Sequence, residues 1–289
     1  METILVVCKR VIMEDITKKF QYFSTDYILN YCNNTNLQDR NNFTDDLYIV
    51  VIGHLRHLND LIIFYKGLKN VIFVVDKTET ENNINILKAN GFTVVVSDTP
   101  DFNGFGNVNF QCQSSIDGAK YVKSVGGKYM IRMRSDQIIL QIQDFINNFN
   151  FDKLGFIAYF NQSRPAPDAY DFNGFNFNYF TKFNRLKSLE NLNYCYLMDY
   201  CISGPVDDLI DIFDYYENKP IPAPAEHKLL MTYFLKKEMD YDNSFENIKK
   251  HFYLMCGTFV ENHIDFIMIK QGYHNWTVAI PLQPNLYYY

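Results

Sequence analysis

Between Leu47 and Asp136, short apolar runs alternate with segments of helical period across links of a few residues, and no other feature constrains the fold as strongly. Leu47–Ile52 is apolar throughout and ends at Gly53, as a strand buried on both faces does. Leu58–Leu68 reads as a helix, and Val71–Val75 as a second strand closing on Asp76. Glu79–Asn90 reads as a helix stopped by Gly91, and Thr93–Val96 as a third strand. After a Gly- and Asn-rich loop, Pro100–Asn109, a helix runs through Val125 to Gly126-Gly127. Lys128–Met133 is then a fourth strand, leading into Arg134-Ser135-Asp136. Strands separated by helices pair in parallel, because a parallel neighbour can be reached only by a crossover. The expectation is an α/β fold, with a mostly parallel sheet flanked by helices in a single domain.

The rest of the chain is less regular. Residues 1–46 read as an N-terminal extension, with a strand at Ile4–Cys8, an amphipathic helix at Phe20–Tyr31 and a polar boundary from Cys32 to Asp46. Residues 47–136 read as the first half of this domain and residues 137–289 as its second half. In the second half Phe156–Phe160 reads as a strand and Asn161–Asn178 as a long loop rich in Pro, Asn and aromatics. Val206, Leu209, Ile210, Phe213 and Tyr216 recur at helical spacing behind Pro205, and a further helix spans Ala225 to Lys237.

Composition excludes several classes of function. The net charge is −6, and no Lys/Arg run exceeds two residues, so the basic stripe of a nucleic-acid binder is missing. The apolar runs are strand-sized, shorter than a membrane span. Lys9-Arg10 follows only a few apolar residues, the wrong charge order for a signal peptide, so a cytoplasmic protein is expected. Its six cysteines lack C-x-x-C spacing and read as reduced and mostly buried. Heavy use of Tyr, Phe, Asn, Ile and Lys suits an AT-rich genome, such as that of a large DNA virus or a low-GC bacterium. A viral source would place the protein in host cytoplasm.

The chemistry concentrates at the fourth strand. Period-two alternation puts Arg132, Arg134 and Asp136 on one face, with Ile131, Met133 and Ser135 on the other. Charges on an apolar strand need partners. Ligands of open α/β sheets sit beyond the carboxyl ends of the strands, where Asp136 falls. A carboxylate there can ligate Mg²⁺ or Mn²⁺ on a diphosphate, and an arginine can pair with phosphate oxygens. The plainer alternative is an Arg–Asp ion pair. His54 and His57 have the spacing of half a metal site but lack a third ligand, which favours a surface or donor-loop role. Ser115 has no nucleophile-elbow context, and Asn107–Asn109 lacks the G-x-G-x-x-G of dinucleotide folds. The aromatic, Asn-rich loop Asn161–Tyr179 suits carbohydrate, and equally suits a loop with its rings tucked inward.

Gly53, Pro100, Asn107, Asn109, Gln111, Ser114-Ser115, Gly118, Gly126, Tyr129 and Arg132-x-Arg134-x-Asp136 together resemble the WavE-type lipopolysaccharide synthesis family. The resemblance covers residues 47–136, with weaker similarity at Asp199–Gly204 and Pro224-Ala225-Glu226. It implies a GT-A-like (Rossmann-like) glycosyltransferase. On this reading the first strand, Gly53 and His54 face the nucleotide, and the helix bearing Gln111 and Ser115 borders the donor. Asp76 would hold the nucleoside; a helix-start or turn role is its plain alternative. Arg134-Ser135-Asp136 stands at the place of the DxD motif, with Arg134 replacing the first acid. Asp136 would then hold Mn²⁺ or Mg²⁺, and Arg132 or Arg134 would assist the diphosphate of a nucleotide sugar, UDP-linked by preference.

The implied reaction moves a sugar onto a glycan acceptor, and inversion requires a carboxylate base. Asp199, preceding Gly204 and a helix, and Glu226, in the first turn of another, are the candidates. At Glu226 the helix dipole already accounts for an acid. Asp168 and Asp171 are reserves. Two alternatives stand beside glycosyl transfer: an inactive carbohydrate- or nucleotide-sugar-binding protein, and a sugar nucleotidyltransferase.

Overall fold

The computed structural model describes residues 32–33, 41–139, 142–148, 150–160, 195–219, 225–240, 245–255, 267–271 and 277–281. The expected elements at Ile4–Cys8 and Phe20–Tyr31, and the loop Asn161–Asn178, lie outside these residues.

The first half follows its sequence pattern closely. Strand β1 (Leu47–Ile52) is followed by α1 (Leu58–Tyr65), β2 (Val71–Asp76), α2 (Glu81–Ala89) and β3 (Thr93–Ser97). A single 3₁₀ turn, Phe105–Asn107, leads into α3 (Val108–Ser124), and β4 (Tyr129–Arg134) follows. The short strand β5 (Gln137–Ile139) and helix α4 (Ile142–Asn148) come next. The second half supplies β6 (Gly155–Phe160), β7 (Cys195–Pro205), α5 (Val206–Phe213), α6 (Ala225–Lys236), α7 (Phe245–His251) and β8 (Tyr253–Met255). Strands β9 (Ile267–Gln271) and β10 (Thr277–Pro281) follow among the described residues.

Among the described residues, seven strands form one sheet in the order β3-β2-β1-β4-β7-β6-β8, and β10-β9-β5 form a second, smaller sheet. β1 pairs in parallel with both β2 and β4, and β2 with β3. β7 runs antiparallel to both its neighbours, β4 and β6, and β8 is parallel to β6. The large sheet is thus mixed but mostly parallel, with one reversed strand inside it.

Alternation along the strands divides the core into two layers. Ile49, Val51, Phe73, Val75, Ile131 and Met133 face α1, α2 and α4, where Leu61, Phe64, Leu87 and Phe145 cover them. Val50, Ile52, Ile72, Val74 and Met130 face α3, α5 and α6, against Val108, Ala119, Leu209, Ile212 and Leu230. At its middle α3 lies directly on the sheet: a Cβ on Gly118 would come within 2.7 Å of Val50 Cγ1 and 3.0 Å of Val74 Cγ2. Cys112 and Cys201 are fully buried free thiols, and burial pushes each up to about 12, so both pack as small apolar groups.

β7 was not foreseen. The sequence reading places Asp199 ahead of Gly204 and a helix and assigns no strand there, but it lies within this strand. The strand is eleven residues long and carries an irregularity, so no simple period shows: β6 pairs Phe156 with Ile202 and then Ile157 with Met198.

Candidate functional site

The strand order sets the place of the site. From β1 the chain moves outward to β2 and β3, then returns past β1 to β4, so the connections diverge between β1 and β4. Such a switch point leaves a crevice at the carboxyl ends of the strands. Gly53 closes β1 there with φ +112°, a conformation costly for any residue with a side chain. A Cβ at Gly53 would lie 2.9 Å from Ser135 Oγ. Ser135 in turn receives its place from β1, its amide donating to the Ile52 carbonyl at 2.8 Å and its hydroxyl to that of His54 at 2.7 Å.

Asp76 ends β2 on the α3 side, continuing the face of Ile72 and Val74. It is buried, and its carboxylate accepts from the Thr78 amide at 2.8 Å and from the Thr99 hydroxyl at 2.8 and 3.0 Å. Burial works to raise its pKa, but these donors and the nearby His54 outweigh it and hold the carboxyl below its ordinary value. Its neighbour Glu79 behaves alike: burial is outweighed by the amides of Leu55 and Thr80, the Asn83 side chain and His54. His54 is exposed beside these two acids. His57 is half-buried; burial lowers its pKa against the pull of Asp60 and Asp136.

Arg134 and Asp136 pair with each other in a two-point contact, Nε to Oδ1 and a terminal nitrogen to Oδ2, both at 2.9 Å. Their side chains are 30% and 31% exposed, so the pair stands at the rim of the crevice rather than in the core. Because β4 ends at Arg134, Asp136 lies in the turn beyond it and outside the strand alternation. The donor set does not fit a resident divalent cation. Both Asp136 oxygens face the guanidinium, and no group of three or more His, Cys, Asp or Glu side chains among the described residues could hold a metal.

Two residues expected at the donor site are part of the core. Arg132 is 0% exposed, held by the Gln111 side chain at 3.3 Å and lying 5.4 Å from the ring centre of Phe213. Its burial is tolerable because α3 supplies an acceptor and α5 an aromatic face. Ser115 is also fully buried, and its hydroxyl donates to the Gln111 carbonyl one helical turn back. Gln111 is half-buried, and its side-chain oxygen accepts from the buried Arg132.

The catalytic candidates sit on described backbone. The β4–β7 ladder ends at Met133 opposite Cys201, so Asp199, two residues earlier on a reversed strand, lies past the end of β4 at the carboxyl edge. Glu226 is in the first turn of α6. Asp168, Asp171 and the loop Asn161–Tyr179 fall outside the described residues.

A further cluster escaped the sequence reading. Glu217 and Lys228 are both buried and form an ion pair at 3.1 Å. Glu217 Oε2 also accepts from the Phe105 amide at 2.6 Å. Asn109 locks on to Glu217 twice, donating to its carbonyl at 2.6 Å and accepting from its amide at 2.8 Å. The available signal was Lys228 itself, a charge placed directly before Leu229-Leu230 in the buried part of α6. Its acidic partner, eleven residues away in a polar segment, has no local signature.

These features define an α/β protein with charged and polar residues gathered at the carboxyl ends of its parallel strands. No protein-family model matches the sequence, and no curated protein matches it. Among solved structures the fold is similar to a Bacillus anthracis protein described as a glucose-1-phosphate thymidylyltransferase, in complex with sucrose. That likeness has a TM-score of 0.40 and 9% identity, over 80% of this chain and 92% of that one. It is also similar to 4-diphosphocytidyl-2C-methyl-D-erythritol synthase from Anaerococcus prevotii, with a TM-score of 0.42 and 9% identity, over 75% and 91%. Among the described residues no helix is long and apolar enough to cross a membrane.

Proposed function

We propose that the protein is a glycosyltransferase that takes a sugar from a nucleoside-diphosphate donor, with UDP the favoured carrier, and passes it to a glycan acceptor. One observation carries this reading: Gly53, Asp76 and Arg134 stand at the carboxyl ends of the adjacent parallel strands β1, β2 and β4, a close backbone approach, a carboxylate and a guanidinium along one edge of the sheet. A carboxylate suits ribose hydroxyls, and a guanidinium suits diphosphate oxygens. Residues 47–136 would hold the donor and residues 137–289 the acceptor. The acceptor hydroxyl attacks the anomeric carbon, the bond from that carbon to the phosphate oxygen breaks, and the nucleoside diphosphate departs with the electron pair. Arg134 steadies the departing charge, and Asp199, at the same edge, takes the acceptor proton. The assignment to an AT-rich source such as a large DNA virus rests on amino-acid usage alone.

The test incubates the protein with a panel of nucleotide sugars and glycan acceptors, with and without Mn²⁺. Acceptor-dependent release of a nucleoside diphosphate is the expected outcome. Release of pyrophosphate from a nucleoside triphosphate and a sugar phosphate would make it a nucleotidyltransferase instead. Donor binding with no turnover on any acceptor would make it a binding protein.

A further inference from the structure

The loop between β3 and α3 is fastened at both ends, while its tip faces solvent. At its start the Thr99 hydroxyl donates to Asp76 at the end of β2. At its finish Asn109, itself buried, donates to the Phe102 carbonyl at 2.8 Å and makes its two bonds to the backbone of Glu217. Between these anchors the Phe105 amide donates to the Glu217 carboxylate, and Lys228 Nζ lies 5.3 Å from the centre of the Phe105 ring. Gly104 permits the approach: its φ is +75°, and a Cβ there would stand 2.7 Å from Glu217 Oε2. Phe105 is nonetheless 47% exposed, a large apolar ring presented to water on the α3 side of the sheet, the side Asp76 faces.

Burying a lysine and a glutamate is a poor route to stability, because desolvation offsets most of their attraction. Here the pair fixes the backbone and one face of a ring that itself adds little to the core. A fixed aromatic beside a nucleotide crevice fits a planar, stackable group. We propose that Phe105 is a stacking platform for the nucleotide base, and that Glu217, Lys228 and Asn109 are positioning residues that preset it. The inference rests on the nucleotide reading of the carboxyl edge and adds to it the base subsite.

The experiment separates base from phosphate. Calorimetry is run with whichever of UDP, GDP, CDP and dTDP binds the wild type tightest, and with inorganic pyrophosphate. Phe105→Ala should weaken the nucleotide roughly tenfold, the order expected of one lost base–aromatic stack, and leave pyrophosphate unchanged. Phe105→Trp should keep the affinity, and its indole emission should be quenched by nucleotide but not by pyrophosphate. Trp276, the one native tryptophan, is read separately in the wild type. Glu217→Gln combined with Lys228→Met removes both charges together and leaves neither one stranded. It should weaken nucleotide binding by a similar factor, and adding Phe105→Ala should then cost nothing more, a coupling that a purely structural pair would not produce. If the clamp variant does not fold, the two Phe105 variants still decide the matter. Wild-type nucleotide affinity in Phe105→Ala, equal loss of pyrophosphate, or an unquenched Phe105→Trp overturns the inference. A wild type that binds neither nucleotide nor pyrophosphate fails earlier and overturns the site reading itself.

Discussion

Asp76 shows what a carboxylate at a strand end contributes to the fold. Three hydrogen bonds from Thr78 and Thr99 favour its charged form, so its pKa in the fold lies below the unfolded value. A carboxyl depressed in this way adds stability above its unfolded pKa and loses it as pH falls through the folded one. Asp76→Asn should therefore cost about 1–3 kcal/mol at neutral pH, the worth of hydrogen bonds to a charged acceptor. The gap between variant and wild type should close under acid, below the ordinary Asp range. Urea melts at pH 7 and in acid check this, and an unchanged gap would remove the carboxylate from the account. Gly53 makes a second case at this scale. Gly53→Ala must hold a methyl group at positive φ and displace the Ser135 hydroxyl, for about 1–3 kcal/mol of strain. Ser135→Ala should cost less and should partly rescue the double variant, as paired melts would show.

Elements of the first half were legible because one force dominates each of them. β1 and β2 are buried at nearly every position, so their apolar runs end where the strands end, at Ile52 and Asp76. α2 begins after Thr80 rather than at Glu79, because the Thr80 hydroxyl accepts from the Asn83 amide and caps the helix there. β5 and β7 were not legible. β5 is three residues long, and β7 owes its pairing to β4 and β6, partners more than thirty residues away that leave no local period. The site divides in the same way. Gly53, Asp76 and the Arg134–Asp136 pair announce themselves at strand ends, whereas the burial of Arg132 is set by α5, which no local pattern ties to β4. The contact of α3 with the sheet supports a prediction of its own. Gly118→Ala gains up to about 1 kcal/mol in helix propensity but overpacks against Val50 and Val74, typically for about 1–3 kcal/mol. We expect net destabilisation, read as a lower urea midpoint. A higher midpoint would mean that α3 can lift off the sheet freely.

Across the whole molecule, the earlier and later parts of the chain join along the length of β4, where β7 pairs with it from Tyr129 opposite Pro205 to Met133 opposite Cys201. Catalysis would draw on both. A general base contributes about a hundred- to ten-thousand-fold, so Asp199→Asn should lower kcat by that order and leave nucleotide affinity nearly unchanged. Glu226→Gln should chiefly raise the acceptor KM. The reverse pattern in steady-state kinetics would move the base to Glu226.

The reversed strand also has a consequence for synthesis on the ribosome. When residues 47–134 have emerged, β3, β2, β1 and β4 already have one another as partners, but the outer rim of β4 has none. Its partner, Cys195–Pro205, is made about sixty residues later, roughly three to twelve seconds at ordinary elongation rates. For that interval the nascent chain carries an open sheet edge beside Met130, Ile131 and Met133, the kind of surface that holdase chaperones cover and that other nascent chains can join.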